Sequence, residues 1–200
     1  GYYMTPIISI TLGYLFLNEK MTKLKLISVM IMFCSILFLF ITIKTIPLLA
    51  ILIGFTWGLY GLLRKKIKIN TEIGLLYESA FISILAFPYL IFLHLNGTGY
   101  TFNHSTYVSI FLILTGAVTI FPLFFFNLGI KFIPLGFAGV IFFMAPTLHF
   151  ITSFFILNES ISSPKLISFI LIWIAVIFFI SDVYKEEKTI DYSKSQILIL

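Results

Sequence analysis

The chain has 200 residues, 60% hydrophobic and 10% charged, with a formal net charge of +5 and a single cysteine. Water-soluble domains average about 45–50% apolar and 25% charged residues, so a water-soluble fold is excluded and lipid is the natural solvent. The basic residues sit in short clusters beside long apolar runs, which marks membrane orientation rather than nucleic-acid binding. Cys34, alone in an apolar run, permits neither an intramolecular disulfide nor a Cys/His metal centre.

A bilayer core about 30 Å thick needs about 20 apolar residues per spanning helix. Seven candidates follow one another: 3–17, 24–43, 46–63, 73–95, 106–130, 134–157 and 166–184. Pro47, Pro134 and Pro164 stand near helix starts, where a missing N–H does no harm. Asn96-Gly-Thr-Gly99 is a loop signature. The runs are continuous rather than alternating over about ten residues, which argues against transmembrane strands. The chain starts at Gly1 with an apolar run close behind and no signal peptide, so it is expected to be a piece of a longer protein.

Lys and Arg set the orientation. Lys20, Lys23 and Lys25 lie in one loop; Arg64, Lys65, Lys66 and Lys68 lie in another, two spans later. Both are expected in the cytoplasm, with Lys131 and a tail holding Lys185, Lys188 and Lys194. The loop from Asn96 to Ser105 carries no Lys or Arg and falls outside; Lys44 is discordant. The run Arg64–Lys68 sets topology first and meets anionic lipid second.

Residues 1–40 and 141–180 align without gaps. Met4 and Pro6 match Met144 and Pro146; Leu17-Asn18-Glu19 matches Leu157-Asn158-Glu159. Lys25-Leu26-Ile27-Ser28 matches Lys165-Leu166-Ile167-Ser168. Five spans separate the copies, an odd number, so they point in opposite directions. Lys20 and Lys23 stand in the inner copy where the outer one has Ser160 and Ser163. Inverted repeats build many secondary transporters. On this reading residues 1–63 hold the end of a first repeat, 46–184 the five spans of a second, and 185–200 a cytoplasmic tail. Three further spans, about 100 residues, are then expected ahead of Gly1.

The run Gly1-Tyr-Tyr-Met-Thr-Pro6 with Leu12-Gly-Tyr-Leu-Phe-Leu-Asn-Glu-Lys20 resembles the fourth-helix signature of the RarD permeases. These belong to the EamA group of the drug/metabolite transporter superfamily. Tyr60-Gly-Leu-Leu-Arg-Lys-Lys66, Gly74-Leu-Leu-Tyr-Glu78, Gly116-Ala-Val-Thr-Ile-Phe-Pro122, Phe143-Met-Ala-Pro-Thr147 and Ile172-Trp-Ile174 continue the likeness. The resemblance implies an all-α integral membrane fold of ten helices in two inverted five-helix repeats, seven of them here. It also implies a bacterial cytoplasmic-membrane permease of the type labelled chloramphenicol-sensitivity protein.

Few side chains inside the spans can carry chemistry. Glu78 lies about 8 Å into its helix; a carboxylate there faces the bundle interior and serves substrate contact or proton coupling, or else pairs with Arg64 or Lys65 at the interface. His149 shares one face with Ala145, Thr152 and Ser153. The matching face in the first copy carries Thr5, Ser9, Leu12 and Gly13. Pro6 and Pro146 are expected to kink these two helices, Pro122 a third. The two helices either line a cavity or pack closely through small residues. Trp57, Tyr60 and Arg64 share a face that stacks on an organic substrate, or forms an interfacial aromatic belt, the setting favoured for Arg64. Gly54 and Gly58 are a packing pair. Thr119 and Asn127 give the 106–130 span a polar face, with Asn127 near enough to its end to cap or meet water.

The expected function is secondary transport of a small organic metabolite or drug by alternating access, coupled to a proton or substrate gradient, with no enzyme activity and no cofactor. A seven-helix receptor is the alternative, as is a truncated remnant of the permease. A retinal protein needs a buried Lys, which residues 166–184 lack at mid-depth. Metal-dependent membrane enzymes need clustered carboxylates, and no phosphate-binding Gly-x-x-x-x-Gly-Lys occurs. Three Asn-x-Ser/Thr matches, at Asn96, Asn103 and Asn158, are chance-level.

Overall fold

The computed structural model describes residues 2–44, 48–97, 105–159 and 161–197. Pro47, Thr98, Gly99, Asn103 and Ser160 lie outside the described residues, as does the side chain of Lys194. Every regular element among the described residues is helical: α1 (Thr5–Leu17), α2 (Lys23–Ile43), α3 (Leu48–Lys66), α4 (Thr71–Leu95), α5 (Thr106–Gly129), α6 (Leu135–Ile141), α7 (Met144–Ile151, widening into a π turn over Thr152–Ile156) and α8 (Ser163–Ile197). The protein is an all-α integral membrane chain. Among the described residues six stretches are long and apolar enough to cross a bilayer, α6 and α7 counting together as one. The first predicted span is shorter: α1 has 13 residues, about 20 Å of helix. α8 continues as helix through the residues expected to form the tail, as far as Ile197.

Two compact units result, residues 1–65 with 133–200 and residues 66–132. In the first, α2 packs along α8 and α1 along α6. Met32, Ile36, Phe143, Ile172, Ala175, Val176 and Phe179 fill its core. The α1–α6 approach is close because α6 presents Gly136 and Gly139. A Cβ on Gly139 would lie 2.6 Å from Ser9 Cβ and 3.2 Å from Pro6 Cα. Small residues let helix backbones meet where lipid offers no hydrophobic drive between helices.

The two ends of the sequence match are built alike. Asn18 closes α1 in the left-handed region (φ 54°) and Asn158 follows the π turn at φ 51°. Glu19 N donates to Gly13 O at 3.2 Å, and Glu159 N to Ser153 O at 3.0 Å, each reaching back six residues. The next helix starts at Lys23 after the first corner and at Ser163 after the second.

The predicted 134–157 span is not one helix. Pro146 has no N–H for Phe142 O, and Ala145 N takes that carbonyl instead at 3.1 Å. The winding tightens at Phe142–Phe143 and divides the span into α6 and α7. Pro6, its match, causes no kink: it lies in the first turn of α1, where no helical donor is needed. That corrects the expectation of a kink there.

In the second unit α4 packs with α5. Both run through an internal proline, Pro88 and Pro122. Phe81, Leu85, Phe87, Phe111, Val118 and Phe121 are exposed along them, the surface expected of helices solvated by acyl chains. Lys131 Nζ donates to Ile69 O at 2.7 Å, fastening the loop before α4 to the end of α5.

Candidate functional site

The break at Pro146 borders a cavity of about 380 Å³ in the first unit, lined by Tyr2, Tyr3, Pro146, His149, Ser153 and Glu159 among others. Tyr2 and Tyr3 precede α1; His149 and Ser153 lie one turn apart on α7 and its π turn. Phe150, also on the wall, stacks on Phe169 of α8 with centroids 4.3 Å apart and planes at 8°. Tyr3 meets Phe143 at 5.4 Å. The Ser153 hydroxyl donates to the Glu159 carboxylate. Leu157 N reaches Thr152 O at 3.0 Å, five residues back, the bond of a π turn. The cavity thus combines aromatic walls, an imidazole and a carboxylate beside irregular backbone, a setting that suits a small organic solute with a polar end.

A second cluster lies on α3. Trp57 stacks on Tyr60 (5.4 Å, 21°) and meets Phe142, at the α6–α7 break, edge-on at 5.0 Å. Arg64 Nε donates to Tyr60 Oη at 3.1 Å, and its guanidinium carbon stands 5.6 Å from that ring's centroid. Arg64 is only 5% exposed. Arg64 is thus covered by protein, with the Tyr60 ring and hydroxyl among its neighbours. Gly54 and Gly58 are buried, as close packing requires.

The remaining candidates scatter. Glu78 is half-buried in α4. Asn127, near the end of α5, is fully buried and so does not meet water. Thr119 is exposed and its hydroxyl donates to Thr115 O at 2.7 Å, a bond within its own helix. Pro122 is exposed within a continuous α5. Of the predicted site residues, His149 and Pro146 come together in the cavity, and Trp57 and Tyr60 in the stack. Tyr2, Tyr3 and Glu159 were missed. The repeated Asn-Glu corner was the signal that marked Glu159. Among the described residues no cluster of three or more His, Cys, Asp or Glu side chains could hold a metal ion.

Apolar helices on the scale of a bilayer, one of them broken beside a partly open, mostly apolar cavity that His149, Ser153 and Glu159 also line, define a polytopic membrane protein with a solute-sized pocket. The chain belongs to the EamA-like transporter family, whose profile matches residues 44–181. It is 36% identical over 180 residues to the uncharacterized transporter YojE of Bacillus subtilis, covering 90% of this chain and 59% of that protein. It is 28% identical over 190 residues to protein RarD of Escherichia coli, covering 94% and 64%. It is 22% identical over 177 residues to the chloramphenicol-sensitive protein RarD of Pseudomonas aeruginosa, covering 88% and 58%. The chain therefore spans about three fifths of the length of these relatives. No solved structure matches it significantly.

Proposed function

We propose that this chain forms the greater part of a secondary transporter that moves a small organic solute across the bacterial cytoplasmic membrane by alternating access. The observation that carries the reading is the α6–α7 break with its adjoining cavity. Transporters hold substrate at discontinuous helices, where freed backbone groups and polar side chains meet the solute. The matched corners at Asn18 and Asn158 support two repeats inverted across the bilayer. By the distribution of Lys and Arg, the Glu19 corner and the C-terminus are cytoplasmic and the cavity's Glu159 corner is external.

Glu78 serves as the coupling carboxylate on this reading, because an ionisable group within a span is a functional candidate. The name of the P. aeruginosa relative makes chloramphenicol the first probe. The test is movement of radiolabelled chloramphenicol into proteoliposomes holding the full chain, with and without a pH gradient. Flux that responds to the gradient and loses that response in Glu78→Gln is the expected result. Flux indifferent to both removes proton coupling. The absence of flux for chloramphenicol and for a panel of small organic solutes removes the transporter reading.

A further inference from the structure

Some polar groups on the wall of the cavity are already bonded within the protein, and others are not. The Glu159 carboxylate accepts from the Ser153 hydroxyl. The hydroxyls of Ser35 and Ser168, both buried on the wall, donate to backbone carbonyls. Lys165 and His149 also line the cavity, and neither side chain has a hydrogen bond or ion pair among the described residues. The same holds for the hydroxyls of Tyr2 and Tyr3. The groups left for a ligand are therefore donors: an ammonium, an imidazole and two phenols.

The matched lysine shows what this cation does when the protein supplies the partner. Lys25, the counterpart of Lys165 in the repeat, is 2.6 Å from Glu186 and 3.8 Å from Asp182 of α8. At the place on α2 that matches Asp182 stands Thr42, whose hydroxyl donates to Phe38 O of its own helix. A hydroxyl cannot neutralise an ammonium. Lys165 thus lines a mostly apolar space without the carboxylates that its counterpart has.

We propose that the cavity takes small organic acids, with the carboxylate held by Lys165 and His149 and an aromatic or apolar body against Tyr3 and Phe150. This deepens the transporter reading and rests on it. Lys165 is the residue that sets specificity, because its charge separates an acid from the amide or amine of the same shape. Charge-assisted hydrogen bonds are stronger than neutral ones, so neutral solutes bearing acceptors are weaker ligands of the same site. An amine would seek Glu159, and must compete there with the Ser153 hydroxyl. Anionic lipid headgroups are recognised by clusters of about four to eight Lys or Arg, and this wall has one lysine.

The test measures binding to the full chain in nanodiscs of phosphatidylcholine. Three probes share a ring system and differ in charge: naphthaleneacetate, naphthaleneacetamide and naphthalenemethylamine. The acid is expected to bind about tenfold more tightly than the other two. Lys165→Gln should bring the acid close to the amide and leave the amide's own affinity unchanged, which separates a lost charge from a collapsed cavity. Lys165→Arg should keep the preference, and His149→Gln should reduce it. Equal affinities, a preference for the amine, no binding of any probe, or a preference that survives Lys165→Gln overturns the proposal. So does phosphatidylglycerol retained in native mass spectra by the wild type and lost in Lys165→Gln, since the site then belongs to a lipid. None of these outcomes needs flux. Acid binding without transport keeps the site and removes the transporter reading; chloramphenicol flux without acid binding does the reverse.

Discussion

Ser35 and Ser168 exchange hydrogen bonds across the α2–α8 contact. Ser35 Oγ donates to Ser168 O at 2.9 Å and Ser168 Oγ to Ser35 O at 3.3 Å, both within the buried interface. In lipid such pairs fix which helix faces meet, since apolar surface alone does not discriminate between them. Ser35→Ala and Ser168→Ala should each lower unfolding stability by about 0.5–1.5 kcal/mol. A double-mutant cycle in mixed micelles checks the pair. Additive losses would show that the two bonds act independently.

Lys25 is buried at one end of the same contact, 2.6 Å from Glu186 and 3.8 Å from Asp182, which also accepts from Thr22 Oγ1 at 2.6 Å. Removing the cation leaves Asp182 buried beside a hydroxyl alone. Lys25→Ala is expected to cost about 2–4 kcal/mol, less than a fully buried pair because Glu186 is partly solvated. The matching exposed lysine gives the control: Lys165→Ala should change stability by less than about 0.5 kcal/mol. Denaturant unfolding of the two variants decides between them.

Gly139→Ala forces α1 and α6 apart against Ser9 and the Pro6 backbone. A loss of about 1–3 kcal/mol is expected from overpacking. Gly116 has open space where a Cβ would go, and an alanine there should be neutral or mildly stabilising through helix propensity. Comparison of the two melting temperatures separates crowding from propensity.

Pro146→Ala returns an N–H to Phe142 O and rejoins α6 with α7. Stability should hold or rise by about 1 kcal/mol. Chloramphenicol flux should nevertheless fall at least tenfold, because the break that borders the cavity closes. A variant that keeps both the added stability and wild-type flux would detach the break from transport.

The long elements were legible because continuous apolar runs need no tertiary information. The repeat was legible at its polar residues, Asn18 with Glu19 and Asn158 with Glu159, where lipid-facing Leu and Ile carry no register. Other features depend on partners far along the chain. Glu19 bonds amides 116 and 117 residues away, and no local period announces that. Pro6 and Pro146 look equivalent in sequence, yet only the second falls where a helix already needs the missing donor. Arg64 shares a helix face with Trp57 and Tyr60 in the sequence, but that it is covered by protein and bonded to Tyr60 Oη only the packed structure shows.

The π turn at Thr152–Ile156 has one further consequence. Its counterpart in α1 is wound as α-helix with no residue gained or lost between the copies. Rewinding such a turn as α-helix turns the residues beyond it by about 100° around the helix axis, one residue's angular step. The Glu159 corner would then turn relative to His149, with which it shares the cavity wall.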